Sequence, residues 1–97
     1  MRNYRTETGH RGGINSLVCP PEQNDSYLIS AGRDRLIKIW QLNYSKQKAT
    51  MLANLDSHTD WVNQLIFIPQ AGNTLVSCSH DTTIKVWRLD DFSRFTE

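Results

Sequence analysis

Cysteine is scarce in this sequence: Cys19 and Cys78 are the only two, and no CxxC pair exists. That excludes a zinc module built on paired thiolates and a dithiol redox motif. Two thiols so far apart read as reduced, buried side chains of an intracellular protein, cytoplasmic, nuclear or both. Long apolar runs are also missing. A membrane-spanning helix needs about 20 apolar residues, and the longest run here, Leu65-Ile66-Phe67-Ile68, has the length of a strand. Neither sign of charge is in excess, with 11 Lys and Arg against 10 Asp and Glu and a formal net charge of +1. The basic residues are scattered rather than gathered in a run, so no footprint for nucleic acid is read. Met1 to Arg5 lead into no apolar segment, which gives no secretory signal. In that light the triplets Asn24-Asp25-Ser26 and Asn43-Tyr44-Ser45 are chance matches to a glycosylation pattern.

What the 97 residues do contain is a pattern that occurs twice. Placing His10 over His58 brings Ile14 onto Val62, Asn15 onto Asn63, Leu17 onto Leu65 and Pro21 onto Pro69. With the offset shortened by a single residue, Leu28 falls on Leu75, Ser30 on Ser77, Asp34 on Asp81, Lys38 on Lys85 and Trp40 on Trp87. The slip lies within the polar stretch 22–26, where a change of loop length costs little. A matched series broken once, inside a loop, marks an internal repeat.

Each unit reads as short strands between turns. First strands are expected at 14–19 and 62–68, each stopped by a proline that has no ladder N–H to give. Second strands are expected at 27–31 and 74–78, and third strands at 36–42 and 83–89. In the third strands apolar and polar residues alternate with the strand period of two, as in Ile37-Lys38-Ile39-Trp40. A fourth strand at 49–55 follows the polar turn 43–48, and the second unit reaches residues 90–97 where its own fourth strand would begin. No helix-period segment with caps occurs, so the class is all-β.

Two sets of side chains have the composition of a hydrolase triad: His10, Ser30 and Asp34, and again His58, Ser77 and Asp81. Catalysis by serine needs a strained elbow and an oxyanion hole, whereas Ser30 and Ser77 fall inside strand patterns. Duplication argues the same way, and no catalytic residue and no enzymatic activity is assigned. His10, His58, His80, Cys19 and Cys78 lack the short paired spacing of metal ligands, so neither metal nor cofactor is expected.

The segments Gly9-His10, Ser30-Ala31-Gly32-Arg33-Asp34 and Ile37-Lys38-Ile39-Trp40 together resemble one WD repeat, and His58, Ser77-Cys78-Ser79-His80-Asp81 and Ile84-Lys85-Val86-Trp87 resemble a second. The spacing agrees with the roughly 40–45 residue period of that family, lengthened by loops. Ser57 stands where the family has Gly before the His, and Gln41 and Arg88 stand where it has the eponymous Asp. The resemblance implies a partial β-propeller of about two four-stranded antiparallel blades, the second lacking its outer strand. Residues 1–12 then form a leading segment, 13–56 the first blade and 57–97 the second. It further implies that His10, Ser30, Asp34 and Trp40, and likewise His58, Ser77, Asp81 and Trp87, form buried structural hydrogen-bond tetrads.

Within that fold Ile14 and Val62 are expected to be buried at the strand starts. Asn15, Arg33, Trp61, Asn63 and His80 are expected at the channel rim as candidate protein-binding residues. Tryptophan and arginine dominate binding hot spots, which puts Trp61 first. Repeat folds of this kind serve as binding scaffolds, so protein partners and the remaining blades of a parent propeller are expected. A narrower resemblance, carried by segments 58–63, 31–34 and 81–87, is to the WD-repeat regulatory subunits of ubiquitin-specific proteases. It implies such a protease and ubiquitin as partners; the alternative is a scaffold of an unrelated multiprotein complex.

Overall fold

Residues 9–20, 26–43, 48–69 and 73–89 are described by the computed structural model. The two runs of short, β-branched-rich segments fold as seven strands: β1 (Ile14–Val18), β2 (Ser26–Gly32), β3 (Ile37–Asn43), β4 (Lys48–Leu55), β5 (Val62–Ile68), β6 (Thr74–Ser79) and β7 (Ile84–Arg88). They form a four-stranded sheet in the order β1-β2-β3-β4 and a three-stranded sheet in the order β5-β6-β7, with every neighbouring pair antiparallel. No α-helix occurs among the described residues. The architecture is all-β and consistent with a partial β-propeller. Several strand ends shift by one or two residues from the sequence reading. Leu36 and Thr83 fall in turns instead of opening β3 and β7, because each donates to an Asp side chain two residues back, Asp34 or Asp81.

Strand alternation gives each sheet two distinct faces. On the first sheet, Ser16, Ala31, Ile37 and Leu55 share one face with Val18, Ile29, Ile39 and Ala53. On the second sheet, Leu65 and Ser77 share a face with Phe67, Leu75 and Trp87. These two faces close on each other, and Ile29, Ile37, Ile39, Val62 and Leu75 are fully excluded from solvent there. Burying a side chain of this size contributes about 1.5–3 kcal/mol, so this seam is the core.

The outer faces are different. Ile84 and Val86, which match the buried Ile37 and Ile39, are 72% and 69% exposed. On the far side of the first sheet, Ile14 and Leu17 are 50% and 57% exposed, although their counterparts Val62 and Leu65 are buried. The expectation that Ile14 is buried is therefore corrected. Its alternation is right, but the face it lies on has no sheet against it. The same cause overturns the expectation of two buried thiols. Cys19, two residues beyond Leu17, is exposed, and Cys78, paired with Ile84 on the other outer face, is half-buried.

Local irregularities recur at matched places. The ladder skips Asn15 between Ile14 and Ser16, and it skips Asn63 between Val62 and Gln64. Each is a β-bulge, which bends the strand and re-aims a side chain. The tight turns after β2 and β6 each place one residue at positive φ, Arg35 at 73° and Thr82 at 72°. Gly32 is required by a close approach: a Cβ there would lie 2.6 Å from the Gly13 carbonyl oxygen. That carbonyl accepts from Arg33 N at 2.8 Å and ties the loop before β1 to the β2–β3 turn.

Two exposed apolar faces of complementary origin make self-association the expected behaviour of these residues by themselves. Size-exclusion chromatography with light scattering should show a mass that rises with concentration. A monomer at every concentration with one sharp melt would contradict the exposed faces as described.

Candidate functional site

In each blade four side chains from four different elements meet. Trp40 lies on β3 and Ser30 on β2; His10 precedes β1 and Asp34 lies in the β2–β3 turn. Trp40 Nε1 donates to Ser30 Oγ at 2.8 Å, Ser30 Oγ lies 2.7 Å from His10 Nε2, and His10 Nδ1 lies 2.9 Å from Asp34 Oδ1. The second blade repeats this: Trp87 Nε1 donates to Ser77 Oγ at 3.0 Å, Ser77 Oγ lies 2.7 Å from His58 Nε2, and His58 Nδ1 lies 2.9 Å from Asp81 Oδ2. The indole can only donate and the carboxylate can only accept, which assigns the protons between them. Imidazole Nδ1–H donates to the carboxylate, the serine hydroxyl donates to Nε2, and its oxygen accepts from the indole. Every group along the chain is then satisfied.

The carboxylates also hold backbone. Asp34 accepts from Arg11 N and Leu36 N, and Asp81 from Thr59 N and Thr83 N, so each anchors both the incoming loop and the turn. Burial pushes the Asp34 carboxyl upward, but the hydrogen bonds from His10, Arg11 and Leu36 outweigh it and leave it below the ordinary carboxylate value. The Asp81 carboxyl is held far below that value, first by the Thr83 hydroxyl and then, against some burial, by Thr59 N and His58. Thr83 was outside the sequence reading; a Thr two residues after an Asp is the local turn signal that marks it.

A second cluster spans the two blades. The Arg33 guanidinium stands 4.6 Å from the centroid of the Trp61 ring, and the His80 ring lies 5.2 Å from Trp61 at a 40° tilt. The backbone fixes this group: His80 N donates to Trp61 O at 2.9 Å, the Ser79 hydroxyl donates to Asp60 O, and Trp61 N donates to Asp60 Oδ1. The indole is still 39% exposed. Three of the five expected rim residues therefore meet. The bulge sends the other two elsewhere. Asn15 stays exposed while its Nδ2 donates to Val62 O at 2.9 Å and cross-links the blades, and Asn63 is half-buried at the matching position. Ser16 Oγ, accepting from Leu65 N at 3.1 Å, is a further cross-link that no motif signalled.

The profile of the family described as "WD domain, G-beta repeat" matches residues 1–41 and 49–88. The chain belongs to the WD-repeat family. It is 31% identical over 85 residues to the "Ribosome biogenesis protein WDR12 homolog" of Chlamydomonas reinhardtii, covering 82% of this chain and 19% of that protein. It is 34% identical over 91 residues to the "Polycomb protein EED" of Chaetomium thermophilum, covering 92% of this chain and 16% of that protein. The chain thus spans less than a fifth of either relative. Ubiquitin-specific proteases appear in neither name.

In this WD-repeat chain the serine is the shared centre of each hydrogen-bond chain, and Ser77 is fully buried. Ser77→Ala should cost about 2 kcal/mol, because it strands both an indole donor and an imidazole acceptor, and Trp87→Phe should cost a similar amount. Thermal melting at fixed protein concentration measures both, and two unchanged melts would dissolve the network.

The carboxyls give a pH dependence. Both titrate below the ordinary value of 3.8 in the folded chain, so their stabilisation is complete above about pH 4 and is lost as pH falls through the folded values. Acid denaturation should therefore begin below pH 4, and Asp81→Asn should flatten the dependence. A stability that rises on acidification would contradict the assignment.

Proposed function

We propose that this chain is a protein-interaction scaffold whose working surface is the blade end where Arg33, Trp61 and His80 meet. One observation carries the reading: an indole held at the seam of two blades by its backbone yet still 39% exposed. A rigid, partly exposed tryptophan beside an arginine has the chemistry of a binding hot spot, with little conformational entropy left to lose on contact. Trp61 does two things at once in this reading. It packs on the neighbouring blade through Arg33 and offers its remaining surface outward, with His80 beside it. The tetrads His10–Ser30–Asp34–Trp40 and His58–Ser77–Asp81–Trp87 hold the blades and take no part in chemistry. In support, Ser30 and Ser77 are buried out of reach of any substrate, and each serine oxygen already accepts from an indole.

The remaining blades of a parent propeller complete the surface, and the protein works inside the cell. Its finer placement as a regulatory subunit of a ubiquitin-specific protease, with ubiquitin at hand, rests on segments 58–63, 31–34 and 81–87 alone. The names of the two relatives, ribosome biogenesis and Polycomb, lean toward a scaffold of another multiprotein complex.

Capture of binding proteins from cell extract by the wild type and by Trp61→Ala, followed by calorimetric titration of any partner recovered, tests this. Trp61→Ala should weaken binding by about 1–3 kcal/mol. Its stability should fall by only about 0.5–1 kcal/mol, the value of a surface cation–π contact. Equal affinity for the partner would leave Trp61 as a seam residue and remove the proposed surface. A ubiquitin-specific protease among the partners lost would decide for the narrower placement.

A further inference from the structure

Four cations that lie apart in the sequence line one open groove at the end of the first blade: Arg11, Arg33, Arg35 and Lys38. Half-buried Leu36 lies among them, and the two acids on the groove are Asp34 and Asp56. Asp34 is already engaged by His10 Nδ1, Arg11 N and Leu36 N, which leaves exposed Asp56 as the one uncommitted carboxylate there. Among the described residues, no carboxylate forms an ion pair with any of the four cations. Four of the chain's 11 basic residues thus converge on one groove in a chain whose formal net charge is only +1.

The second blade shows that the fold does not need this charge. There the places of Arg11, Arg33, Arg35 and Leu36 are taken by Thr59, His80, Thr82 and Thr83, and the same hydrogen-bond chain closes beside them. Lys38 is matched by Lys85, so the three arginines are what set this groove apart. Like charges gathered at an exposed site repel one another, and nothing in the blade's own hydrogen bonding repays that. Arg33 is also pre-organised: stacked on Trp61, its guanidinium loses less freedom when its planar N–H fork engages a carboxylate.

We propose that this groove binds an acidic peptide segment of a partner protein, with Asp or Glu carboxylates paired to Arg11, Arg33 and Arg35. The proposal rests on the reading of this blade end as a protein-binding surface and names the chemistry of what it takes. Single-stranded nucleic acid fits less well. Its bases stack on open aromatic faces, whereas the Trp61 ring carries Arg33.

Fluorescence anisotropy with a labelled polyglutamate peptide tests the proposal. Binding should be saturable, weaken with added salt as expected of exposed charges, and drop about tenfold in Arg11→Glu and in Arg35→Glu. Both residues are exposed and lie outside the tetrads, so thermal melts run in parallel should coincide with that of the wild type. Should either reversal shift the melt, the length-preserving Arg11→Gln and Arg35→Gln supply the comparison, with a smaller loss expected. Absence of saturable binding, equal binding by the variants, or tighter binding of a single-stranded RNA oligonucleotide would each overturn the proposal. Failure here is distinct from failure of the scaffold reading. A partner captured through Trp61 that binds Arg11→Glu as well as wild type removes the groove alone, whereas polyglutamate binding with no Trp61-dependent partner removes the larger surface alone.

Discussion

Everything in each blade is tied to one serine oxygen. Ser30 Oγ, and in the second blade Ser77 Oγ, is the point where an indole from the third strand meets an imidazole from the incoming loop. Through that imidazole the constraint runs on to a carboxylate in the turn, and from the carboxylate to two backbone N–H groups. Four elements are thus locked by a chain with no unsatisfied member; among the described residues no buried side-chain nitrogen or oxygen lacks a partner. Inside a blade a stranded donor or acceptor costs about 1–3 kcal/mol, so the chain forms as a whole or not at all. The first blade keeps it although its outer face is open, and the second keeps it against a covering sheet. The network therefore belongs to the blade and not to the packing of blades.

Packing is governed by a separate rule, the alternation of strand faces. The inner face of the first sheet and the facing side of the second carry the apolar core, and two side-chain bonds, from Asn15 to Val62 and from Leu65 to Ser16, stitch the innermost strands β1 and β5. Asn15 reaches across because the bulge turns it out of the ladder. The matching pairs Ile37 and Ile84, or Leu17 and Leu65, show the same residue chemistry buried on one blade and exposed on the other. Their difference lies only in which neighbour is present. The binding chemistry sits at the blade ends, on loops and turns that these two layers of constraint hold rigid.

The sequence by itself determined the elements that are local or periodic. The doubled spacing located the repeats, the period of two located the strands, and the resemblance to WD repeats implied that the recurring His, Ser, Asp and Trp meet. Such signals survive in one dimension because each depends on distance along the chain or on turn chemistry. Only the tertiary structure decided which faces are covered, since alternation marks two faces and cannot say which has a partner; hence Ile14 and Cys19 are exposed. It also decided that Asn15 cross-links blades, because a bulge adds a residue without any composition signal. Arg33 stacks on Trp61, and Arg11, Arg35 and Lys38 share its groove, because a β2–β3 turn and two loops converge at one blade end. Read along the chain these charges are scattered; sheet formation brings distant loops together, and charge acts through space, not through sequence order.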